Sequence, residues 1–500
     1  MPSATYAQLL RRNKSFRRLW TGQLISELGT WFSFVGELGL VRMYSGSPLA
    51  TMTLLISRLL PFLVVAPFAG VLVDRGSRKT IMLTADLTQA VVALGYLLVN
   101  SHGRLWIVYI CGAAMSSLSI MFEASKNAAL PNIVTADQML TANVMVYSTR
   151  FLQLTLGAAL GGVTAARFGY SAAFIVNSIS FLCSAACVRK INARAMHKQD
   201  ANASGPVIAL EFEYDRADSG YRPGDLVEPA AAQVAQIGQI GQIDAPDLNP
   251  APAVSQSAIS RTLADLHDGL AFIWATPFVR ALIMVNVCWA TGGGMINLLY
   301  DRIGGHIFLR GPGDRGDWSV ATLYTAAGAG LCIGMGLARR VGDRLTHKRS
   351  AGLFIGCTLL CHGLLFASGG LMRSLYPMAL CVLASRVMIA LEFGVQETFM
   401  MRVLPDNFRG RVFTTDRSLE FTTVMLSMMA AGWLLTRFDP RSLMIASGLL
   451  SASPGLFWLL ALWSRALMVP SAALAGAHGS PPVSSIEPLP EKASHAQASV

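Results

Sequence analysis

Charge is what this chain has least of. Only 14% of its 500 residues are Asp, Glu, Lys or Arg, against about 25% in a soluble globular domain, so most of the surface is not meant for water. A phosphate-cradling Gly-x-x-x-x-Gly-Lys-Ser/Thr loop is absent, which argues against ATP as an energy source. No cleavable signal peptide stands at the start. Arg11, Arg12, Lys14, Arg17 and Arg18 precede an apolar run too long for a signal core, with no small-residue cleavage site after it. The cysteines (Cys111, Cys183, Cys187, Cys288, Cys332, Cys357, Cys361 and Cys381) all fall inside apolar runs, with no His or Asp cluster near the i, i+4 pairs 183/187 and 357/361. They read as inert thiols buried in those runs, with neither a disulfide nor a metal implied. The net charge of +11 does not point to nucleic acid, because the basic residues sit in short turns between apolar runs, the pattern of a positive-inside membrane topology.

What the chain does have is apolar length: 53% of it is hydrophobic. A hydrocarbon core takes about 20 apolar residues per helix. Runs of that length lie near 19–43, 48–73, 80–99, 105–125, 140–167 and 171–189, then near 277–299, 319–338, 350–369, 375–400, 417–436 and 441–464. The expected fold is therefore an all-α membrane protein with twelve transmembrane helices in two six-helix bundles. The expected organisation is a cytoplasmic segment 1–18, an N-terminal bundle 19–189, a cytoplasmic linker 190–260, an interfacial helix with the C-terminal bundle 261–464, and a cytoplasmic tail 465–500. The linker carries the near-repeat Gln236-Ile237-Gly238-Gln239-Ile240-Gly241-Gln242-Ile243 and too little apolar mass for a core. Asn202-Ala203-Ser204 within it is a glycosylation sequon by pattern, unused on a cytoplasmic face. Over 260–275, Leu263, Leu266, Leu270 and Ile273 recur at helical spacing opposite Asp265 and Asp268, the pattern of a helix lying on the membrane surface.

Positive charge sorts by side. Arg75, Arg78, Lys79, Arg339, Arg340, Arg344, Lys348, Arg349, Arg409 and Arg411 fall in turns on one side, while Arg104, Arg167 and Arg373 are sparse on the other. The first side is the cytoplasm and holds both termini. An outer loop at 300–318 departs from this with Arg302, Arg310 and Arg315, offset by Asp301, Asp314 and Asp317. The halves echo each other: Ala129-Leu130-Pro131-Asn132 against Val403-Leu404-Pro405-Asp406, and Gly70 through Lys79 against Gly334 through Arg344. Such duplication suits a transporter with its site between two bundles.

The turn Gly70-Val71-Leu72-Val73-Asp74-Arg75-Gly76-Ser77-Arg78-Lys79 joins two membrane-length runs. Gly70 lets helices approach closely, Asp74 can accept hydrogen bonds from a helix N-terminus, and Arg78 and Lys79 can pair with acids on neighbouring spans. Gly70, Asp74, Arg75, Arg78 and Lys79 resemble the loop signature of the major facilitator superfamily, with Ser77 where the pattern has its second glycine. Phe16-Arg17-Arg18-Leu19-Trp20, Gly22-Gln23-Leu24-Ile25-Ser26, Ser47-Pro48-Leu49-Ala50, Arg58-Leu59-Leu60-Pro61 and Arg409-Gly410-Arg411-Val412 resemble its twelve-span exporter branch, which includes macrolide efflux pumps and enterobactin-type siderophore exporters. The resemblance implies the major facilitator fold and proton-driven export. The branch's fifth-span Gly-Pro is replaced here by Gly157-Ala158, with Gly161 and Gly162 following, a run that keeps the close packing without the proline kink.

Ionisable groups inside spans are costly and are functional candidates. Glu27 and Glu37 on the first span lie ten residues apart, about 80° around a helix, and Arg58 on the second can pair with either. In one reading a glutamate takes up a proton and releases Arg58; in the other the pair permanently locks the bundle. Asp86 and Glu123 lie near the inner face, and the resemblance makes Glu123 the acidic partner of Arg78, with Asp86 able to join. Arg150 opens the fifth span. The resemblance places the tenth span at the central cavity, so Arg386 is a candidate for an anionic substrate and Glu392 for a proton or cation, with Glu397 on the same helix. Asn286 and Asn297 can donate to substrate or bridge helices. His362 reads as a packing histidine. Trp31, Phe32, Phe34 and Trp289 can line a cavity or face lipid.

The sequence thus points to a non-enzymatic, monomeric, multi-pass protein of the cytoplasmic membrane. It is expected to export a small organic molecule (a siderophore, drug or natural product) against inward proton flow, with no cofactor. Asp74, Arg78 and Glu123 are expected to stabilise the outward-facing state, and Glu27 or Glu37 to couple it to the gradient. A nutrient importer of the same architecture and a non-transporting scaffold or receptor are the alternatives.

Overall fold

The computed structural model describes residues 6–192, 196, 273–274, 277–311, 314–342, 345, 348–404 and 406–463. Nearly all of the expected linker and interfacial helix, and the tail, lie outside the described residues. The first half contains α1 (Tyr6–Arg12), α2 (Lys14–Tyr44), α3 (Pro48–Val64), α4 (Ala66–Arg75), α5 (Arg78–Gly95), α6 (Trp106–Ile133), α7 (Ala136–Phe168) and α8 (Tyr170–Arg189). The second contains α9 (Pro277–Gly293), α10 (Ile296–His306), α11 (Asp317–Gly342), α12 (Lys348–Leu371), α13 (Leu375–Val403), α14 (Asp406–Leu434) and α15 (Pro440–Trp463).

Local sequence sets where these helices start and bend. Asn13 caps α2 by accepting a hydrogen bond from the Phe16 N–H at 2.9 Å, and Ser47 caps α3 just ahead of Pro48, a residue suited to a first helical position. The expected single run 48–73 is instead α3 and α4, bent by 51° at Val65. Pro61, inside α3, and Pro67, at the start of α4, lack the N–H that a continuous helix needs there. α7, with Ala158 in place of proline, runs unbroken for 33 residues.

Ten of the described helical stretches are long and apolar enough to cross a membrane, or eleven if the bent α3–α4 pair is one span. The expected span 417–436 lies in α14, a 29-residue helix that does not reach that apolarity; its first half carries Asp416, Arg417 and Glu420. The expected loop at 300–318 is corrected as well, because helix α10 continues to His306.

The halves pack by one scheme used twice. In the first, α2 packs on α7 and α8, α5 on α6 and α8, and α3 on α6. In the second, α9 packs on α14 and α15, α12 on α13 and α15, and α11 on α13. Each pair matches its counterpart six spans later, so the faint sequence repeat is a repeat of helix packing. The halves meet through α7 on α11 and α3 on α14, again a related pair. At the first contact Gly162 faces Ala321; at the second, Gly432 faces Met52, and Phe62 stacks on Phe421 with centroids 5.3 Å apart.

Large apolar side chains cover the outside, among them Phe168, Leu371, Phe457 and Trp463, the surface lipid requires. The cysteines follow it. All eight are free, yet only Cys111 is buried, and Cys183, Cys288, Cys357 and Cys361 are exposed on this face. The expectation of buried thiols is corrected: apolar runs put many side chains against lipid rather than protein.

Candidate functional site

Of the two first-span glutamates, it is Glu37 that Arg58 meets. Arg58 Nη1 donates to both carboxylate oxygens of Glu37, at 2.6 and 2.9 Å, and Ser33 Oγ lies 3.4 Å from the same carboxylate. The guanidinium carbon sits 5.1 Å from the Phe34 ring centroid, and Glu37 is 1% exposed. The pair therefore bridges α2 and α3 in a nearly dry setting.

Glu27 takes no part in it. It lines a small polar cavity with Asp86 of α5 and Glu123 of α6. The cavity has about 10 Å³ of room for the centre of a water-sized particle, enough for one. Ser26, Thr30, Gln89 and Ser119 complete its polar lining, and Phe122 and Phe181 wall it. Asp86 is 1% exposed and its Oδ2 has no hydrogen-bond partner. Glu123 is held by Lys126 Nζ at 2.6 Å and by Gln23 Nε2 at 3.3 Å.

A second ionic group joins the two halves at the end of the molecule away from the Gly76–Ser77 turn. Arg42, in the last turn of α2, donates through Nη1 to Asp301 Oδ1 and through Nη2 to Asp317 Oδ1. Thr51 Oγ1 donates to Asp301 Oδ2 at 3.0 Å, and the Tyr170 hydroxyl to Asp317 Oδ2 at 2.9 Å. Three donors of the first half thus clasp two carboxylates of the second, and all five side chains are buried. Arg302 adds a bond to the Gly46 carbonyl at 2.7 Å. Close backbone approach makes this possible: Gly316 has φ +71°, and its α-carbon hydrogens face Gly304 and Gly305, where any side chain would collide. Among the described residues, the two ion pairs that cross between halves both belong to Arg42.

The clasp corrects the reading of Asp301 and Asp317 as acids offsetting loop arginines. Only Asp314 does local loop work, accepting from the Arg310 and Gly316 N–H groups at 2.7 and 2.9 Å. Sequence reasoning missed Arg42. The available signal was a lone arginine at the end of the first span, at the same depth as Asp301 within an apolar run.

In the second half, Asn286 Nδ2 donates to Asp416 at 3.2 and 3.3 Å and accepts from Gln396 Nε2 at 2.9 Å. Glu392 is buried with Oε1 unpartnered. Asp416 was missed because it immediately precedes the expected span. Glu397 lies 3.6 Å from Arg417, which also meets Glu420 at 2.8 Å. Arg386 Nε donates to the Tyr300 hydroxyl at 3.2 Å, and the guanidinium lies over Tyr300 and Phe366. It points to the interior of its own half. His362 is fully buried, with Nδ1 2.9 Å from the Ser385 carbonyl. Asn297 and Arg150 are exposed; Arg150 comes near enough to Glu27 for their charges to interact.

Two like-built halves, joined by a symmetric pair of helix contacts and threaded with buried ions, suit a membrane transporter. A family model, the Major Facilitator Superfamily, matches residues 19–415. The chain belongs to the Major Facilitator Superfamily. It is a multi-pass membrane protein of this family of transporters. It is 30% identical over 178 residues to the uncharacterized MFS-type transporter YfiS of Bacillus subtilis (strain 168), a match spanning 35% of this chain and 42% of that protein. It is 21% identical over 440 residues to macrolide efflux protein A of Streptococcus pyogenes, covering 87% of this chain and 93% of that one. A crystal structure of a POT family transporter in complex with a thioalcohol-conjugated peptide shares the fold, with TM-score 0.57 and 12% identity over 90% of this chain and 96% of that one.

The facilitator loop signature sits otherwise than its charges alone suggest. Arg78 Nη1 donates to the Ala128 and Met196 carbonyls at 2.9 and 3.0 Å, so the expected pairing with Glu123 is not made in this structure, where Lys126, three residues along the same helix, holds that carboxylate. Lys79 Nζ donates to the Arg189 and Ile191 carbonyls at 2.8 and 2.7 Å, a cation at the negative end of α8. Asp74 and Arg75 are exposed, and Asp74 accepts no hydrogen bond among the described residues. Gly70 packs against nothing, since a side chain there would meet no atom within 4 Å. Ser77 has its own use, capping α5 with its hydroxyl 3.4 Å from the Thr80 N–H. In α7 the glycines pack tightly: Gly161 lies against the Phe32 backbone and Gly162 against Ala321.

Proposed function

We propose that this facilitator is a proton-coupled secondary transporter that exports a small organic molecule across the cytoplasmic membrane by alternating access of a site between two six-helix bundles. One observation carries the reading. The two halves are locked by buried ions at one end, where Arg42 meets Asp301 and Asp317, while at the other end the signature carboxylate Asp74 is exposed and Arg78 and Glu123 are apart. A permanent scaffold has no use for a latch at one end and an unengaged one at the other. Positive charge puts the Asp74 end in the cytoplasm with both termini. The structure then corresponds to a state shut toward the outside, and engagement of Asp74, Arg78 and Glu123 belongs to the opposite state. Glu27, Glu37 and Glu392 are the carboxylates proposed to take and release the proton. Asn286, Asn297, Arg58, Arg150 and Arg386 are the polar groups proposed to serve the substrate path. No cofactor is called for, and a monomer suffices.

The likeness to a macrolide efflux protein over 87% of this chain supports export and makes drugs, siderophores and other natural products the proposed cargo. Everted membrane vesicles with an acidified lumen test it. An exporter accumulates a labelled macrolide or iron-free siderophore inside them, a protonophore abolishes the accumulation, and Glu27→Gln with Glu37→Gln reduces it at least tenfold. Loss of preloaded solute under the same gradient identifies an importer instead.

A further inference from the structure

The cavity between α2, α5 and α6 is rich in acceptors and poor in donors. Thr30 Oγ1 spends its proton on the Ser26 carbonyl at 3.0 Å, and Ser26 Oγ spends its own on the Gln23 carbonyl at 3.3 Å. The oxygens of both hydroxyls keep their lone pairs for the cavity they line. Asp86 Oδ2 is buried and makes no hydrogen bond, the one hydroxyl donor among the described residues close enough to influence its carboxyl being Ser184 of α8. Lys126, the basic group bonded to the cavity lining, is already paired with Glu123, and among the described residues neither Glu27 nor Asp86 forms an ion pair. Ser119 stands apart: Gln89 Nε2 donates to its oxygen at 2.8 Å, leaving one hydroxyl proton to donate. An apolar surrounding makes unanswered carboxylate oxygens costly, and the missing element is a cation small enough for a space that holds one water-sized particle. Every available ligand atom is a hard oxygen, which suits an alkali or alkaline-earth ion over a transition metal. Among the described residues no three His, Cys, Asp or Glu side chains converge as a divalent ion would require.

We propose that this cavity binds one sodium ion, held by carboxylate oxygens of Glu27 and Asp86 and hydroxyl oxygens of Ser26 and Thr30. A proton on either carboxylate competes with it. The other charged or titratable groups facing these two carboxylates are Glu123 and Lys126 from α6, Arg150 from α7, Arg58 from α3 and Cys187 from α8. Use of sodium as an alternative coupling ion rests on the transport reading above; binding of sodium does not, so the two fail separately.

Thermal unfolding of the purified full chain in detergent tests the binding. NaCl is titrated against KCl and choline chloride at constant ionic strength and mildly alkaline pH. The expected result is a saturable rise in Tm specific to sodium, shrinking as the buffer is acidified and lost in Glu27→Gln and Asp86→Asn. Equal Tm in the three salts overturns the proposal, as does a sodium-specific rise that survives in both variants. Should Asp86→Asn fail to fold, Thr30→Val decides: a sodium response several-fold weaker supports the site, and an unchanged one overturns it. The vesicle experiment is unaffected by either outcome.

Discussion

Single residues show how far spacing alone reaches. Glu27 and Glu37 share a broad helix face by angle, yet they sit about 15 Å apart along the axis at 1.5 Å per residue. That rise, rather than the angle, decides their partners: Glu37 meets Arg58, and Glu27 meets the cavity with Asp86. Removing one member of a buried pair strands the other, at about 3–5 kcal/mol, while replacing both by apolar groups is often neutral. Glu37→Gln is therefore expected to destabilise strongly, and Glu37→Met with Arg58→Met to recover most of the loss, measured by reversible unfolding in mixed micelles. A double variant no more stable than Glu37→Gln would show that the pair itself is net stabilising. Arg42 and Asp416 were not legible because each lies at the margin of an apolar run, where a charge reads as a loop residue. Only the fold shows that helices at those margins face one another. In this structure Glu123 pairs with Lys126 and not Arg78, because a loop arginine with free carbonyls nearby needs no carboxylate.

At the scale of the element, the spans were legible because apolar length is a property of the chain alone. Their bends and packing faces were only partly so. Pro61 and Pro67 marked a break, but its 51° angle depends on what α3 and α4 pack against. α14 is the hardest to read, since Asp416, Arg417 and Glu420 dilute its apolar character and their partners Asn286, Glu397 and each other lie elsewhere in the fold or one turn away. The glycines separate by neighbour. Gly161→Val would drive a branched side chain into the Phe32 backbone, 2.7 Å from its carbonyl oxygen at the first added carbon, and is expected to lower the folded yield and Tm sharply. Gly70→Ala, with nothing within 4 Å, is expected to fold as stably as the parent or gain up to about 1 kcal/mol from its helix position. Size-exclusion profiles and Tm values of the two variants check this; equal damage from both would mean that the packing faces have been misjudged.

For the whole molecule, the same five helix pairings occur in each half and two related contacts join the halves, the symmetry that the proposed alternating access requires. The clasp of Arg42, Thr51 and Tyr170 on Asp301 and Asp317 closes one end. Under the proposed alternating access, opening must rehydrate one guanidinium and two carboxylates together, so the clasp is expected to act as a switch between two states rather than as a graded spring. The most direct measurement is the distance across that end. Spin labels at Ser101→Cys and Ser374→Cys, both exposed in turns of opposite halves, are placed in a background with the native cysteines replaced and read by pulsed electron–electron resonance in lipid nanodiscs. One distance is expected to dominate in the parent chain, with a longer-distance population growing in Arg42→Gln and in Asp301→Asn with Asp317→Asn, the variants remaining monodisperse. One unchanged distance in the parent and in both folded variants, at every pH, would contradict the clasp as a latch on that end.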